Sequence, residues 1–326
     1  MRMLKSLCLY FFDVGKKYGV FFVLLLPGCG LISVDDGSGA KTCDGSTVAY
    51  SNTTRSGALT TSETWRGTIT ISGDILIGNN CTLTIEPGTT VKFTANSDST
   101  NHGFDTPITD PPFPNDPPTK PSEFSGIELW GGTLVSLGTD ENPITFTSDA
   151  SSKVAGDWHS IALRQEGSRL NMQKSTIEYA YYGVQFNETT NNDYVTINNN
   201  TIREIVACGI CLGVETHKTV TLTISGNQIS SCGHEGIDLH ENAVAIIENN
   251  TFTDIRGKFV DDPHESGGNG IAVDKSNRSV IRNNTFLRNN QGISCVTDGT
   301  NPTIENNNVY GTGTNENDEN IQNCPR

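Results

Sequence analysis

The sequence predicts an all-β chain wound as a parallel β-helix, a solenoid whose coils stack through a ladder of asparagines. One short phrase recurs five times, as VTINNNTI, LTISGNQI, AIIENNTF, SVIRNNTF and PTIENNNV, beginning at Val195, Leu222, Ala245, Ser279 and Pro302. The intervals, roughly 23 to 34 residues, lie in the range that marks solenoids and stacked arrays. Every copy carries two apolar residues five positions apart: Ile197 and Ile202, Ile224 and Ile229, Ile247 and Phe252, Ile281 and Phe286, Ile304 and Val309. Between them stands an asparagine in every copy: Asn200, Asn227, Asn250, Asn284 and Asn307. Asparagine tolerates the left-handed backbone region, and its amide can bond nearby backbone, so each phrase reads as two short strands around a tight turn. Stacked, the five amides form the ladder. An Asn-rich disordered tract would keep neither the fixed spacing nor the flanking apolar residues.

Composition narrows the partners. Thirty-seven acidic residues against 22 basic ones give a formal charge of -15, which excludes attraction to nucleic acid or to an anionic membrane surface by charge. Hydrophobic residues make up 34%, a low share that suits a thin solenoid held by coil-on-coil contacts rather than one large core. A monomer is expected.

Taken in order, residues 1–28 read as an export signal. Arg2, Lys5, Lys16 and Lys17 supply a basic start, and Val20 to Leu26 is an apolar run too short to span a bilayer. The run ends in Leu26-Pro27-Gly28-Cys29, which resembles the bacterial lipobox, where the cysteine is acylated, by palmitate among other chains, and becomes the mature N-terminus. That resemblance implies a bacterial lipoprotein held at the outer membrane or cell surface by its lipid alone, and Gly30 after the cysteine favours the outer membrane. Residues 29–62, rich in Ser, Thr, Gly and Asp, read as a flexible tether.

The solenoid is expected over 63–310. From Trp65 onward, apolar and polar residues alternate in short pieces broken by Ser72-Gly73, Gly78-Asn79-Asn80 and Pro87-Gly88. Residues 95–124 are dense in proline and poor in apolar residues, an excursion from the coils. Strands resume at 126–148, 156–165 and 175–180. Residues 311–326 read as a polar tail.

A third strand precedes each asparagine phrase: HSIALR, YGVQFN, CGICLG, EGIDLH, NGIAVD and QGISCV. Alternation turns Ile161, Val184, Ile210, Ile237, Ile271 and Ile293 inward, followed by Leu163, Phe186, Leu212, Leu239, Val273 and Cys295. It turns Ala162, Gln185, Cys211, Asp238, Ala272 and Ser294 outward, with Arg164, Asn187, Gly213, His240, Asp274 and Val296 two residues on.

Three strands per coil and an asparagine turn make residues 65–310 similar to the right-handed parallel β-helix of the pectate-lyase-like superfamily, and the opening coils resemble those of bacterial surface β-helix proteins. The resemblance implies a fold, not one activity, since the superfamily holds lyases, hydrolases, epimerases, binding proteins and stalks. In its enzymes the groove runs along the outer face of the third strand. There Gly236-Ile237-Asp238-Leu239-His240-Glu241 resembles the D-P-H-E motif of alginate C5-epimerases and related lyases, with Leu239 in the place of proline and Glu235 where those enzymes carry a catalytic tyrosine. Asp238 and His240, roughly 6.5–7 Å apart along a strand, are the candidate acid–base pair, and Asp274 one coil later would raise the basicity of His240. A literal Asp262-Pro263-His264-Glu265 falls in the loop that lengthens one interval, off the strand face.

For sugar carboxylates the outer face offers only Arg164 and Lys275 as cations, with Gln185 and Asn187 as neutral contacts. Asp261, Asp262, Glu265 and Asp274 could give hard oxygens to Ca²⁺, though their spacing matches no calcium loop; otherwise no cofactor is expected. Of the cysteines, Cys208 and Cys232 flank neighbouring turns and are the expected disulfide. The function expected is an exported, surface-displayed β-helix that binds a polysaccharide or another surface partner without chemistry. The alternatives are a polyuronate lyase or C5-epimerase using Asp238 and His240, and a passive stalk.

Overall fold

The computed structural model describes residues 39–100, 124–186, 195–212, 221–239, 244–257, 267–274, 278–295, 300–310, 321–322 and 324. Within these, every strand pair is parallel, and the strands stack into the three faces of a right-handed β-helix. No helix long and apolar enough to cross a membrane occurs among the described residues.

Three columns of apolar side chains fill the interior, one per face. On the first face, Ile127, Ile161, Val184, Ile210, Ile237, Ile271 and Ile293 pair in register. On the second, Ile197, Ile224, Ile247, Ile281 and Ile304 do so. On the third, Phe146, Ile177, Ile202, Ile229, Phe252, Phe286 and Val309 do so. The two apolar residues of each asparagine phrase therefore belong to different faces, and the asparagine sits at the bend between them. Each fully buried Ile or Phe contributes about 1.5–3 kcal/mol, and like stacks on like: the Phe252 and Phe286 rings lie 5.0 Å apart at 8°.

The ladder is continuous. The Nδ2 groups of Asn200, Asn227, Asn250 and Asn284 donate to Oδ1 of the next asparagine at 3.1, 2.9, 3.0 and 3.0 Å. Their backbone N–H groups donate to the same oxygens at 2.9 Å. The left-handed backbone falls not on these asparagines but on the residue before each: Asn199, Gly226, Asn249, Asn283 and Asn306, with φ between 51° and 66°. Two positions thus divide the two roles expected of one asparagine. The first turns the chain, and the second, in ordinary backbone, is left to bond its neighbours.

Both ends of the solenoid reach beyond the expected 63–310. Thr47–Ala58 is a strand paired with Ser62–Gly78, and Cys43 is disulfide-bonded to Cys81, so residues from Cys43 to 62, expected as tether, are tied to the first coils. At the other end, Ile321–Gln322 pairs with the strand holding Ile293, and Cys324 is bonded to Cys295. The polar composition there hides a capping strand. Residues 1–38, 101–123 and 311–320 lie outside the described residues, and with them the export signal, Cys29 and most of the proline-rich excursion.

Cys208 and Cys232 are not disulfide-bonded. Their side chains are on opposite sides of the coil wall. Cys232 pairs in register with Ile205 and packs in the main core, whereas Cys208 packs outside it with Tyr181, Tyr182, Ala207 and Cys211.

Candidate functional site

The outward column of the first face is not solvated. Ala162, Gln185, Cys211, Asp238, Ala272 and Ser294 are all buried, although alternation points them away from the core. Part of the cover comes from the turns that lead into these strands. Tyr181 and Tyr182 meet edge-on at 4.9 Å and pack with Ala207, Cys208 and Cys211 into a second apolar cluster outside the solenoid wall.

Those turns also bring three donors together with a fourth, Asp238, from the strand Ile237–Leu239. Gly209 and Gly236 align on neighbouring coils, because Ile210 pairs with Ile237, and this stacks Cys208 over Glu235. Backbone bonds hold the stack: Gly209 N–H to Glu235 O at 3.0 Å, His234 N–H to Ala207 O at 3.2 Å, and Gly236 N–H to Asn269 O at 2.9 Å. Cys208 Sγ then lies 3.7 Å from His234 Nδ1, 4.0 Å from Glu235 Oε2 and 3.8 Å from Asp238 Oδ2. His234 Nδ1 also meets Glu235 Oε2 directly. All four donors lie within 4.8 Å of one another, and all four residues are buried. Glu235 is oriented from the next coil, where Asn269 Nδ2 donates to its Oε1 at 3.0 Å. The Cys208 thiol is pushed well above its ordinary value by its hydrogen bond with Cys211, by burial and by the charge of Asp238.

On the earlier coils the same face carries a second polar group. Arg164 donates to Glu128 Oε1 at 3.1 Å with both side chains buried, and Trp130 Nε1 donates to Glu128 Oε2 at 2.9 Å. Asp74 accepts from Gly126 N–H at 2.8 Å, and its carboxyl is held well above the usual range by burial, with Glu128 and Asp98 adding. His159, between Arg164 and the tyrosines, is lowered to about 3 by burial and by the Arg164 charge; its Nδ1 lies 2.8 Å from the Ser160 hydroxyl. This is an internally compensated row, not an open binding subsite.

Of the expected site residues, Asp238 joins the four-donor cluster and Arg164 is in the buried ion pair. Gln185 is 9% exposed. Asp274 follows its strand and donates its N–H to Leu239 O at 2.8 Å. His240, Asn187, Lys275, Asp261, Asp262, His264 and Glu265 lie outside the described residues. In the sequence His234 belongs to no motif, and Glu235 stands out only as the residue in the place of the epimerases' catalytic tyrosine. The alignment of Cys208-Gly209 with Glu235-Gly236 is visible in the sequence, but it marks a shared place only where the turn folds over the strand.

Residues 182–324 match the family model described as right handed beta helix region. This stretch holds the asparagine ladder and the four-donor cluster, and it is a right-handed β-helix. No curated protein and no solved structure matches the chain.

Proposed function

We propose that the chain is an exported, lipid-anchored β-helix that offers its outer surface to a polysaccharide or another surface partner and performs no polyuronate chemistry. One observation carries this reading. The outward column of the first face, where a polyuronate enzyme of this fold would need open catalytic and cationic side chains, is buried: Arg164 is paired with Glu128, and Asp238 is 7% exposed beside Cys208. A buried ion pair is not available to a sugar carboxylate without leaving Glu128 uncompensated. The -15 charge also opposes polyanionic ligands. Disulfides at both ends of the solenoid support an oxidising, exported location.

The protein should therefore give no unsaturated product by ultraviolet absorbance, and no C5 inversion by NMR, on alginate, pectate and related polymers. It should bind at least one neutral surface glycan or surface protein in a panel. Turnover lost in Asp238→Asn would replace this reading with the lyase or epimerase one, which rests on the outward register of Asp238. Absence of any ligand would leave the stalk. Cys29→Ser should free the protein from the membrane fraction, and a variant that still sediments with membranes would remove the anchor.

A further inference from the structure

We propose that Cys208, His234, Glu235 and Asp238 form a binding site for one divalent transition-metal ion of the zinc class, a staple that ties two neighbouring coils together. The donor set decides the class. One sulfur, one imidazole nitrogen and carboxylate oxygens suit a borderline-soft ion such as Zn²⁺, whereas Ca²⁺ and Mg²⁺ take oxygen ligands alone. The geometry agrees. With bonds of about 2.3 Å to sulfur and 2.0–2.2 Å to nitrogen and oxygen, neighbouring donors of a tetrahedral ion stand roughly 3.3–3.6 Å apart. The separations of 3.7, 3.8 and 4.0 Å around Cys208 Sγ need to close by only a few tenths of an ångström, while the direct contact of His234 Nδ1 with Glu235 Oε2 has to open by a small side-chain rotation so that the ion replaces it.

Burial supplies the energetic reason. Two carboxylates and a thiol gathered away from water with one imidazole among them are costly, and a dication would compensate them more fully than that imidazole does. The support around the cluster is also what a metal centre uses: Asn269 holds the outer oxygen of Glu235, and backbone bonds fix the turns bearing Cys208, His234 and Glu235.

Cys208 comes from one coil and the other three from the next, with separations of 26, 27 and 30 residues. Four protein ligands with no position left for substrate mark a structural site. On binding, the Cys208 thiol releases its proton to solvent and its sulfur joins the ion as thiolate. The site is independent of the proposed partner, so either reading can fail alone.

The test uses the whole chain, stripped with a chelator and titrated with Zn²⁺ and, separately, Co²⁺. One equivalent of Zn²⁺ per chain is expected, with a rise in the unfolding midpoint. Co²⁺ should give the intense visible bands of four-coordination together with a near-ultraviolet thiolate charge-transfer band. Cys208→Ser should abolish that band, and Asp238→Asn should weaken Zn²⁺ binding about tenfold or more. Cys232→Ser, in the core, should leave both signals intact. No stoichiometric Zn²⁺ binding, a Co²⁺ spectrum without the thiolate band, or a Cys208–Cys211 disulfide in the purified protein would each overturn the proposal. If Cys208→Ser does not fold, the Co²⁺ spectrum of the unaltered chain decides alone.

Discussion

Asn227 and Asn250, one coil apart, are joined twice: the Nδ2 and the backbone N–H of Asn227 both donate to Oδ1 of Asn250, each at 2.9 Å. Asn250 repeats the pattern toward Asn284 and adds a bond from its Nδ2 to Ile224 O at 3.0 Å. One side chain therefore serves three coils.

Asn250→Ala should cost about 2–4 kcal/mol, because it leaves the Asn227 donors and the Ile224 carbonyl unsatisfied in a buried row. Asn307→Ala should cost about 1 kcal/mol. Asn307 is only partly buried, and solvent can replace the bonds it receives from Asn284 and gives to Ile281. Urea melts of the two variants give the comparison, and equal midpoints would contradict the ladder's energetic role.

His159 sets an acid limit. Its folded value, about 3, lies below the ordinary 6.5, so folding favours the neutral ring. Its contribution is complete above pH 6.5 and is lost as pH falls from there toward 3, by an amount on the order of 1.4 kcal/mol per unit. In matched urea melts, His159→Gln should lose less stability than the unaltered chain between pH 7 and pH 4. Parallel pH profiles would show that His159 is not the titrating group.

Gly183 is required by close approach. A Cβ there would lie 2.2 Å from the carbonyl oxygen of Gly209 on the next coil, and backbone cannot yield as a flexible side chain does. Gly183→Ala should destabilise by about 1–3 kcal/mol or shift the local coil. An unchanged melting midpoint, with unchanged proteolysis at the neighbouring turns, would show that the coils can separate there without cost.

The Cys295–Cys324 disulfide closes the last coil. Cys324→Ser should lower stability by about 2–4 kcal/mol and open the solenoid from that end, because a repeat array frays from an uncapped terminus. Hydrogen exchange should then quicken around Ile293 and Ile304 while Ile161 stays protected. Uniform quickening along the chain would show instead that the array unfolds as one unit.

The asparagine phrases determined the fold by themselves. Each pairs two apolar residues across a fixed bend, so their spacing sets which face each occupies, and stacking follows because a single coil cannot bury its own interior. Inward and outward positions on the first face were equally legible, since strand alternation has a period of two. What the outward positions meet was not. Asp238 reads as surface because its neighbours along the chain are an inward isoleucine and leucine, yet it is buried beside Cys208, thirty residues away. The pairing of Cys295 with Cys324 rather than Cys208 with Cys232 has the same cause. A cysteine's place in sequence shows which turn it flanks, but only the stacked coils decide on which side of the wall its sulfur stands. Local pattern fixes the coil, whereas contacts made outside the coil depend on how turns of different length fold back over it, and that is a property of the tertiary structure alone.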